Sequence, residues 1–592
     1  MHLAGAEARA TITSFRSPES HSGQTGGGRC GRTRDWALGA AACALPLVAI
    51  LAGLARAGWR PTGDEAVIAW RSWDVLAGQH GALVGQFTTG GSFSTGQPVY
   101  DPGPLLFWLL ALPTHLAPGI GPVVGMTVIS VLSLACACAA AVSVAGSWAG
   151  TVVAAGILLL EWTLAGQLAG APVWNPYAGL IPLASMLVVA WAVAAGRLAW
   201  LGVLVFLASF CIQDHLMYAP TAGLVVLAAP VVGLLVNRAR RPIPWRALAG
   251  GVAVAALSWA GPLWQQLHDQ PGNLGLLWRV AKDGSTSTLG WGFAFRQLAR
   301  GVAPTGPVWL QPPHRRTVAD LAVPGGLTLL ASSLVVLALV AIGIAGWRAA
   351  RADVAALAVT ALVANVGVAY FIAHTPAGQL SFTLLYTENL LEPVGLFTWF
   401  ALGYGILAAF RWRQGRAGPA HDRPGEVPGP RGRRPAGKFW LVSFFALAGM
   451  SLASISLSIW LVVVAPSYEL RNGARQDQLA AASRVAALAP AAHPRDGRLT
   501  IEVPIRPGMG ALEDVSYQMA IAYRLRTQGW APTLGEGICQ QIQRFYCALA
   551  DDPQLGVGES VPAGAQPSGH VVVPTPDGPA LRQVWWRPPG GR

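Results

Sequence analysis

The feature that most constrains this chain is a series of apolar runs of roughly 17–25 residues, each long enough to cross a bilayer. They begin at Trp36 and recur near 121–145, 148–165, 177–195, 199–213, 218–236, 246–263, 324–346, 354–373, 392–410 and 439–465. Backbone groups in lipid must be satisfied within the segment, so such runs fold as helices. The expected fold class is therefore an α-helical polytopic membrane protein with about eleven transmembrane helices and a C-terminal extracytoplasmic α/β domain. Only 12% of the 592 residues are charged, against about 25% in a soluble domain. That excludes a soluble enzyme and a disordered scaffold.

Charge placement then orients the chain. Pro104–His115 is a further apolar piece, short and flanked by prolines. If it crossed, the arginines at 238, 240, 241 and 246, those at 348 and 351, and the basic stretch 411–438 would all fall outside. If it does not cross, all three clusters are cytoplasmic, and the positive-inside rule selects that topology. The N-terminus is expected inside and the C-terminal domain outside, in the plasma (inner) membrane. The net charge of +13 is then an orientation signal. The basic residues are scattered loop anchors rather than a patch interleaved with exposed aromatics, so no nucleic-acid partner is expected.

The expected organisation is a disordered cytoplasmic tail (1–35), a transmembrane domain (36–465) and an extracytoplasmic α/β domain (466–592). Within the second lie a first outer loop (57–103), a long outer loop (264–323) and a Pro/Gly/Arg-rich cytoplasmic linker (411–438). In the last region, helical spacing runs through Gln476–Leu488 and Val515–Thr527. Leu499–Ile505, Val571–Val573 and Arg582–Trp586 read as strands. Five of the seven cysteines lie in the tail or the spans. Cys539 and Cys547 stand together in the outer domain, either bridged or as two separately buried thiols.

With the topology set, the scarce polar residues gather on one face. The first outer loop opens with Asp64-Glu65. Val67, Trp70, Trp73 and Leu76–Ala77 follow at helical spacing, which predicts an amphipathic helix lying in the interface with its tryptophans at headgroup depth. Carboxylates at its N-terminal end also suit the helix dipole without any catalysis. Further on, Asp101 stands before Pro102-Gly103-Pro104-Leu105, where turn chemistry and N-capping are equally good explanations. Asn175 sits in the short loop 173–177, and Gln213, Asp214 and His215 end an apolar span. Polar groups there are costly unless paired or functional. In the long loop, Gln266 and His268 follow a span, and Arg279 and Lys282 lie on a helix from Leu274. Lys282 is one of two lysines in the chain. Either cation suits a lipid phosphate, and a solvated helix face explains them as well. His314-Arg315-Arg316 and Glu388-Asn389 are further candidates.

The Asp64-Glu65 pair, the Pro-x-Pro-Leu start of a short apolar helix and the many short spans resemble the GT-C superfamily of membrane glycosyltransferases. The nearest branches in motif are the protein O-mannosyltransferases and the lipid A aminoarabinose transferases. Their His-Pro-Pro-Leu segment is replaced here by Asp101-Pro102-Gly103-Pro104-Leu105. The resemblance covers roughly residues 36–410. It implies an inverting enzyme that moves a sugar from a polyprenyl-phosphate donor to an envelope glycan, lipid or protein. Asp64 is then the base and Glu65 its orienting neighbour. Asp101, Asn175, Gln213, Asp214, His215, Gln266, His268, Arg279 and Lys282 are candidates for binding substrate. The outer domain is expected to contact the acceptor. Some members use a divalent metal; none is predicted here, nor any other cofactor.

No glycine-rich phosphate loop is placed in a soluble βα unit, and zinc motifs and the nucleophile elbow of hydrolases are missing from the sequence. Two other classes remain. A transporter or flippase for an envelope precursor would place ionisable residues within spans and show repeated halves; here Glu161 is the main charge inside a span, and no repeat is evident. A non-catalytic assembly protein would turn Asp64 away from any cavity.

Overall fold

The computed structural model describes all residues except 1–26, 79–80, 89–91, 93–95, 238–243, 283–286, 305–306, 311–323, 378–379, 417–448, 465–472, 490–497, 504–509, 540–545, 549–551, 576–577 and 589–592. Residues 1–26 of the expected tail, nearly all of the linker 411–438 and the His314-Arg315-Arg316 candidate lie outside the described residues. So does the side chain of Glu388.

The helices are α1 (Gly27–Arg56), α2 (Gly63–Ala77), α3 (Leu105–Leu116), α4 (Gly121–Ala145), α5 (Ser147–Thr163), α6 (Ala165–Gly170), α7 (Asn175–Ala178), α8 (Leu180–Ala194) and α9 (Leu201–Asp214). They continue as α10 (Ala219–Asn237), α11 (Trp245–His268), α12 (Asn273–Lys282), α13 (Gly290–Val302), α14 (Gly326–Arg348), α15 (Ala352–His374), α16 (Leu380–Arg416) and α17 (Gly449–Val464). The C-terminal region adds α18 (Gly473–Ala487), β1 (Arg498–Glu502), α19 (Gly510–Thr527), β2 (Ala531–Leu534), α20 (Glu536–Cys539), β3 (Gln554–Gly558), β4 (Gln566–Thr575) and β5 (Gly578–Arg587).

Among the described residues, eight helices are long and apolar enough to cross a membrane. They are Ala37–Arg56, Gly121–Ala145, Asn175–Ala194, Leu216–Val236, Trp245–His268, Gly326–Arg348, Ala352–His374 and Asn389–Phe410. Ser147–Thr163, Leu198–Asp214 and Gly449–Val464 are shorter apolar helices at positions where the sequence predicts further spans. Helix α1 begins at Gly27 rather than Trp36, because its first turns are polar and carry no hydropathy signal. Helix α3 has 12 residues, about 18 Å at 1.5 Å per residue, too short for a hydrocarbon core of about 30 Å.

The C-terminal region forms one five-stranded sheet in the order β2-β1-β3-β5-β4. Strand β1 pairs parallel to β2 and β3, and β5 pairs antiparallel to β3 and β4. Strands β2 (Ala-Pro-Thr-Leu) and β3 (Gln-Leu-Gly-Val-Gly) are not legible in the sequence. Each is short and holds Pro or Gly, the residues that weaken a strand pattern. Cys539 and Cys547 are bonded to each other, which decides between the two readings of that pair. Trp585 packs against Gly556, where a Cβ would stand 2.0 Å from its ring. It is a core residue.

Helix α2 differs from its expected placement. It starts at Gly63, in the left-handed region at φ +54°, and stops at Gly78, φ +68°. Both positions suit a residue without a Cβ. The helix does not float in the interface. Ala66, Val67, Ala69 and Trp70 belong to the apolar core of the C-terminal sheet region, with Ala520, Ile521 and Tyr546. Ile68 belongs to the core of the membrane bundle. Trp70 is fully buried, and its ring centroid lies 4.6 Å from that of Tyr546. Trp73 stacks on His115 of α3 at 4.0 Å. The periodicity reported an apolar stripe correctly. What covers the stripe is protein rather than headgroups.

At the far end of α2, Asp74 is buried beneath α19. Its Oδ1 accepts from Arg526 Nε at 2.7 Å, and its Oδ2 accepts from the Tyr546 hydroxyl. Near the start of the helix, Gly63 lies against Ser516 of α19. The two helices therefore run side by side in the same direction. A second attachment joins Tyr523 of α19, whose hydroxyl donates to Pro118 O between α3 and α4 at 2.7 Å. Breaking a buried ion pair by removing one partner leaves an uncompensated charge and typically costs about 3–5 kcal/mol. Arg526→Ala should therefore lower the melting temperature in detergent and open α2 to limited proteolysis. An unchanged melt would show that apolar packing alone holds the two helices together.

Candidate functional site

The first turn of α2 presents two carboxylates with different fates. Glu65 is buried, and its Oε1 accepts from the backbone N–H of Val173 at 3.1 Å. Asp64 Oδ2 accepts from the indole N–H of Trp174 at 2.9 Å. Both therefore grip the same short loop, 173–174. Glu65 is turned inward as a strut. The Asp64 side chain is accessible, although protein surrounds it closely. That desolvated setting raises its pKa above the ordinary carboxylate value, and the Trp174 hydrogen bond pulls it partly back.

The same loop continues into the second part of the site. The Asn175 amide donates to Asp101 Oδ2 at 3.0 Å and to the backbone oxygen of Asp214 at 3.1 Å. Asp101 Oδ1 accepts from the Leu216 N–H at 2.9 Å. Burial holds the Asp101 carboxyl well above the usual carboxylate range, against the bonds from Leu216 and Asn175. Asp214 is buried at the end of α9, and its two carboxylate oxygens are enclosed by protein. One of them faces Gly179 at the start of α8, where a Cβ would come within 2.9 Å of it. The Gln213 amide donates to Ser258 O of α11 at 2.8 Å, while its oxygen packs on Gly103. His215 Nδ1 accepts from the Met217 N–H at 3.2 Å. Burial pushes its pKa down to about 4, so the ring is neutral at pH 7 and carries its proton on Nε2.

Asp64, Glu65, Asp101, Asn175, Gln213, Asp214 and His215 thus come together from three loops at one end of the bundle. The remaining sequence candidates do not join them. Gln266 accepts from the Gly275 N–H at 2.8 Å and stabilises its own loop. His268 stacks on Trp264 at 3.9 Å at the exposed end of α11. Arg279 and Lys282 are exposed on α12, and among the described residues no contact links them to the carboxylates. Asn389 is buried on α16. Among the described residues, no three His, Cys, Asp or Glu side chains converge to hold a metal ion.

One residue of the network escapes sequence reasoning. Asn273 is buried and clamps the Asp101 segment through Tyr100. It accepts from the Tyr100 N–H at 2.9 Å and donates to Tyr100 O at 3.0 Å. Its own N–H is held by Gln265 at 3.0 Å. A single Asn inside a polar loop carries no signal in the sequence.

The sequence matches no protein-family model and no curated protein. By structure, the chain is similar to ArnT from Cupriavidus metallidurans bound to undecaprenyl phosphate. The identity is 12%, over 91% of this chain and 96% of that one, with a TM-score of 0.46. The same protein in the apo state gives 13% identity over the same shares and a TM-score of 0.43. The archaeal oligosaccharyltransferase AglB from Archaeoglobus fulgidus, in complex with an inhibitory peptide and a dolichol-phosphate, gives 12% identity. There the match covers 86% of this chain and 69% of that one, with a TM-score of 0.28. These overlays are loose, and the functional reading rests on the residues.

The electrostatics of Asp64 make a pH prediction with a definite sign. A carboxylate that acts as a base works only when ionised, so activity falls as pH drops through its pKa. Trp174→Phe removes the hydrogen bond that lowers the Asp64 pKa. The acid limb of the pH–activity profile should therefore move to higher pH in Trp174→Phe. A limb that stays in place or moves to lower pH would show that Asp64 does not set it.

Proposed function

We propose that the chain is an inverting membrane glycosyltransferase. It moves a sugar from a polyprenyl-phosphate donor to a cell-envelope acceptor, with Asp64 as the base. The observation that carries this reading is the contrast within the acidic pair: Glu65 is tied to backbone and buried, whereas Asp64 is accessible, desolvated and aimed by Trp174.

The chemistry follows from those placements. The acceptor oxygen attacks the anomeric carbon on the face opposite the lipid phosphate. The bond from that carbon to the phosphate oxygen breaks, and its electron pair leaves on the polyprenyl phosphate. The proton of the acceptor hydroxyl passes to Asp64, whose raised pKa makes it a stronger base than an ordinary aspartate. Asp214 and Asp101, with Asn175 between them, offer acceptors for sugar hydroxyls beside the attacked carbon. Positive charge near the departing phosphate would stabilise it. In this reading the site faces the outside and the N-terminus the cytoplasm, following the positive-inside rule. The C-terminal region, which shares a core with α2, takes part in presenting the acceptor.

The direct test is incubation of the purified protein with radiolabelled polyprenyl-phosphate sugars and envelope extract, reading transfer of label from lipid to glycan, lipid or protein. Asp64→Asn keeps an acceptor for the Trp174 N–H but loses the base, so kcat should fall about 10²–10⁴-fold. Glu65→Gln keeps an acceptor for Val173 and should cost no more than about tenfold. Full activity in Asp64→Asn would overturn the assignment, as would a larger loss in Glu65→Gln than in Asp64→Asn.

A further inference from the structure

We propose that Arg60 and Arg524 form a binding site for the phosphate of a membrane lipid, built across the Pro118–Gly119 turn between α3 and α4. The two side chains come from distant parts of the sequence. Arg60 follows the last turn of α1, and its guanidinium lies directly on Gly119, where a Cβ would stand 2.0 Å from Nη1. Arg524 is on α19 beside Tyr523, whose hydroxyl is bonded to Pro118 O at 2.7 Å. The neighbouring residues Pro118 and Gly119 thus bring the two arginines to one spot. Burial and then the Arg60 charge hold the Arg524 pKa below the usual arginine value.

Charge balance argues for a ligand. Both side chains are half-buried, and among the described residues neither is paired with a carboxylate. Arginine stays protonated throughout the working pH range, so the repulsion cannot be relieved by losing a proton. The turn also leads into the N-terminal end of α4, a helix of 25 residues that starts at Gly121. The dipole there favours an anion and disfavours two cations. A phosphate satisfies all three positive elements, and forked guanidinium groups match its geometry.

The surroundings indicate a lipid as the source. Leu112 and Leu116 of α3 are 61% and 77% exposed, immediately before the turn. Apolar side chains open to the bilayer on one side and two guanidinium groups on the other match a phospholipid at headgroup depth. The site shares no residue with the carboxylate network, so it stands or falls independently of the proposed transfer reaction.

The test uses the full-length protein in nanodiscs of phosphatidylcholine doped with phosphatidic acid, with retained lipids counted by native mass spectrometry. The wild type should retain phosphatidic acid over phosphatidylcholine. Arg60→Gln and Arg524→Gln should each lower that preference about tenfold, the usual scale for a charged hydrogen bond. Gly119→Ala provides a second route that leaves both arginines in place. Its methyl group collides only with the flexible end of Arg60 and should displace it, lowering the preference in a folded protein. Equal retention in the wild type and the double Arg60→Gln, Arg524→Gln variant would overturn the site. So would wild-type retention in folded Gly119→Ala. In a parallel arm, inorganic phosphate is added to the loaded protein. Displacement of phosphatidic acid at equal concentrations would assign the arginines to a free anion and overturn the lipid assignment.

Discussion

The structure depends on one helix being buried twice. Helix α2 gives Ala66, Val67, Ala69 and Trp70 to the core of the C-terminal sheet region and Ile68 to the core of the membrane bundle. A helix of 15 residues is marginal alone in water. Covered on two sides, it becomes a rigid beam between two bodies of very different composition. Asp74, gripped by Arg526 and Tyr546, fixes its rotation and register. Asp64 and Glu65 stand at the other end of the same beam, so their position is set by both cores.

That arrangement explains how a mostly apolar chain assembles a polar site. The loops that carry Asp101, Asn175 and Asp214 are tied to one another by side-chain amides, with Asn175 and Asn273 each bridging two segments. The Asn175 amide holds the Asp101 carboxyl against the Asp214 backbone without a cation between them. Asp74 is paired with arginine and buried, whereas Asp64 is paired with an indole N–H and exposed.

Much of this was legible in the residues. Spans are readable because bilayer thickness dictates their length and backbone satisfaction dictates their helicity. The acidic pair stands out because charge is scarce. The helices around Gln476–Leu488 and Val515–Thr527 and the strand near Leu499 show their periods. Other features left no trace. The stripe of Val67, Trp70 and Trp73 looks the same whether headgroups or a folded domain cover it, so the sequence alone does not place α2. Strands β2 and β3 are too short and too rich in Pro and Gly to alternate. Gln266 and His268 stand out in the sequence because they are polar and follow a span; in the structure Gln266 bonds to Gly275 and His268 stacks on Trp264.

The sequence by itself determined that the chain is a bundle of apolar helices with an α/β region at its C-terminal end, and that an acidic pair follows the first apolar run. Those properties follow from local composition and from solvent, which act on each segment separately. Only the tertiary structure decided that Glu65 is a strut and Asp64 the accessible acid, that α2 is shared between two cores, and that Arg60 meets Arg524 over a turn. Such assignments depend on which groups meet across separations of more than a hundred residues, as Asp64 meets Trp174 and Asp74 meets Arg526. No periodicity or composition encodes them.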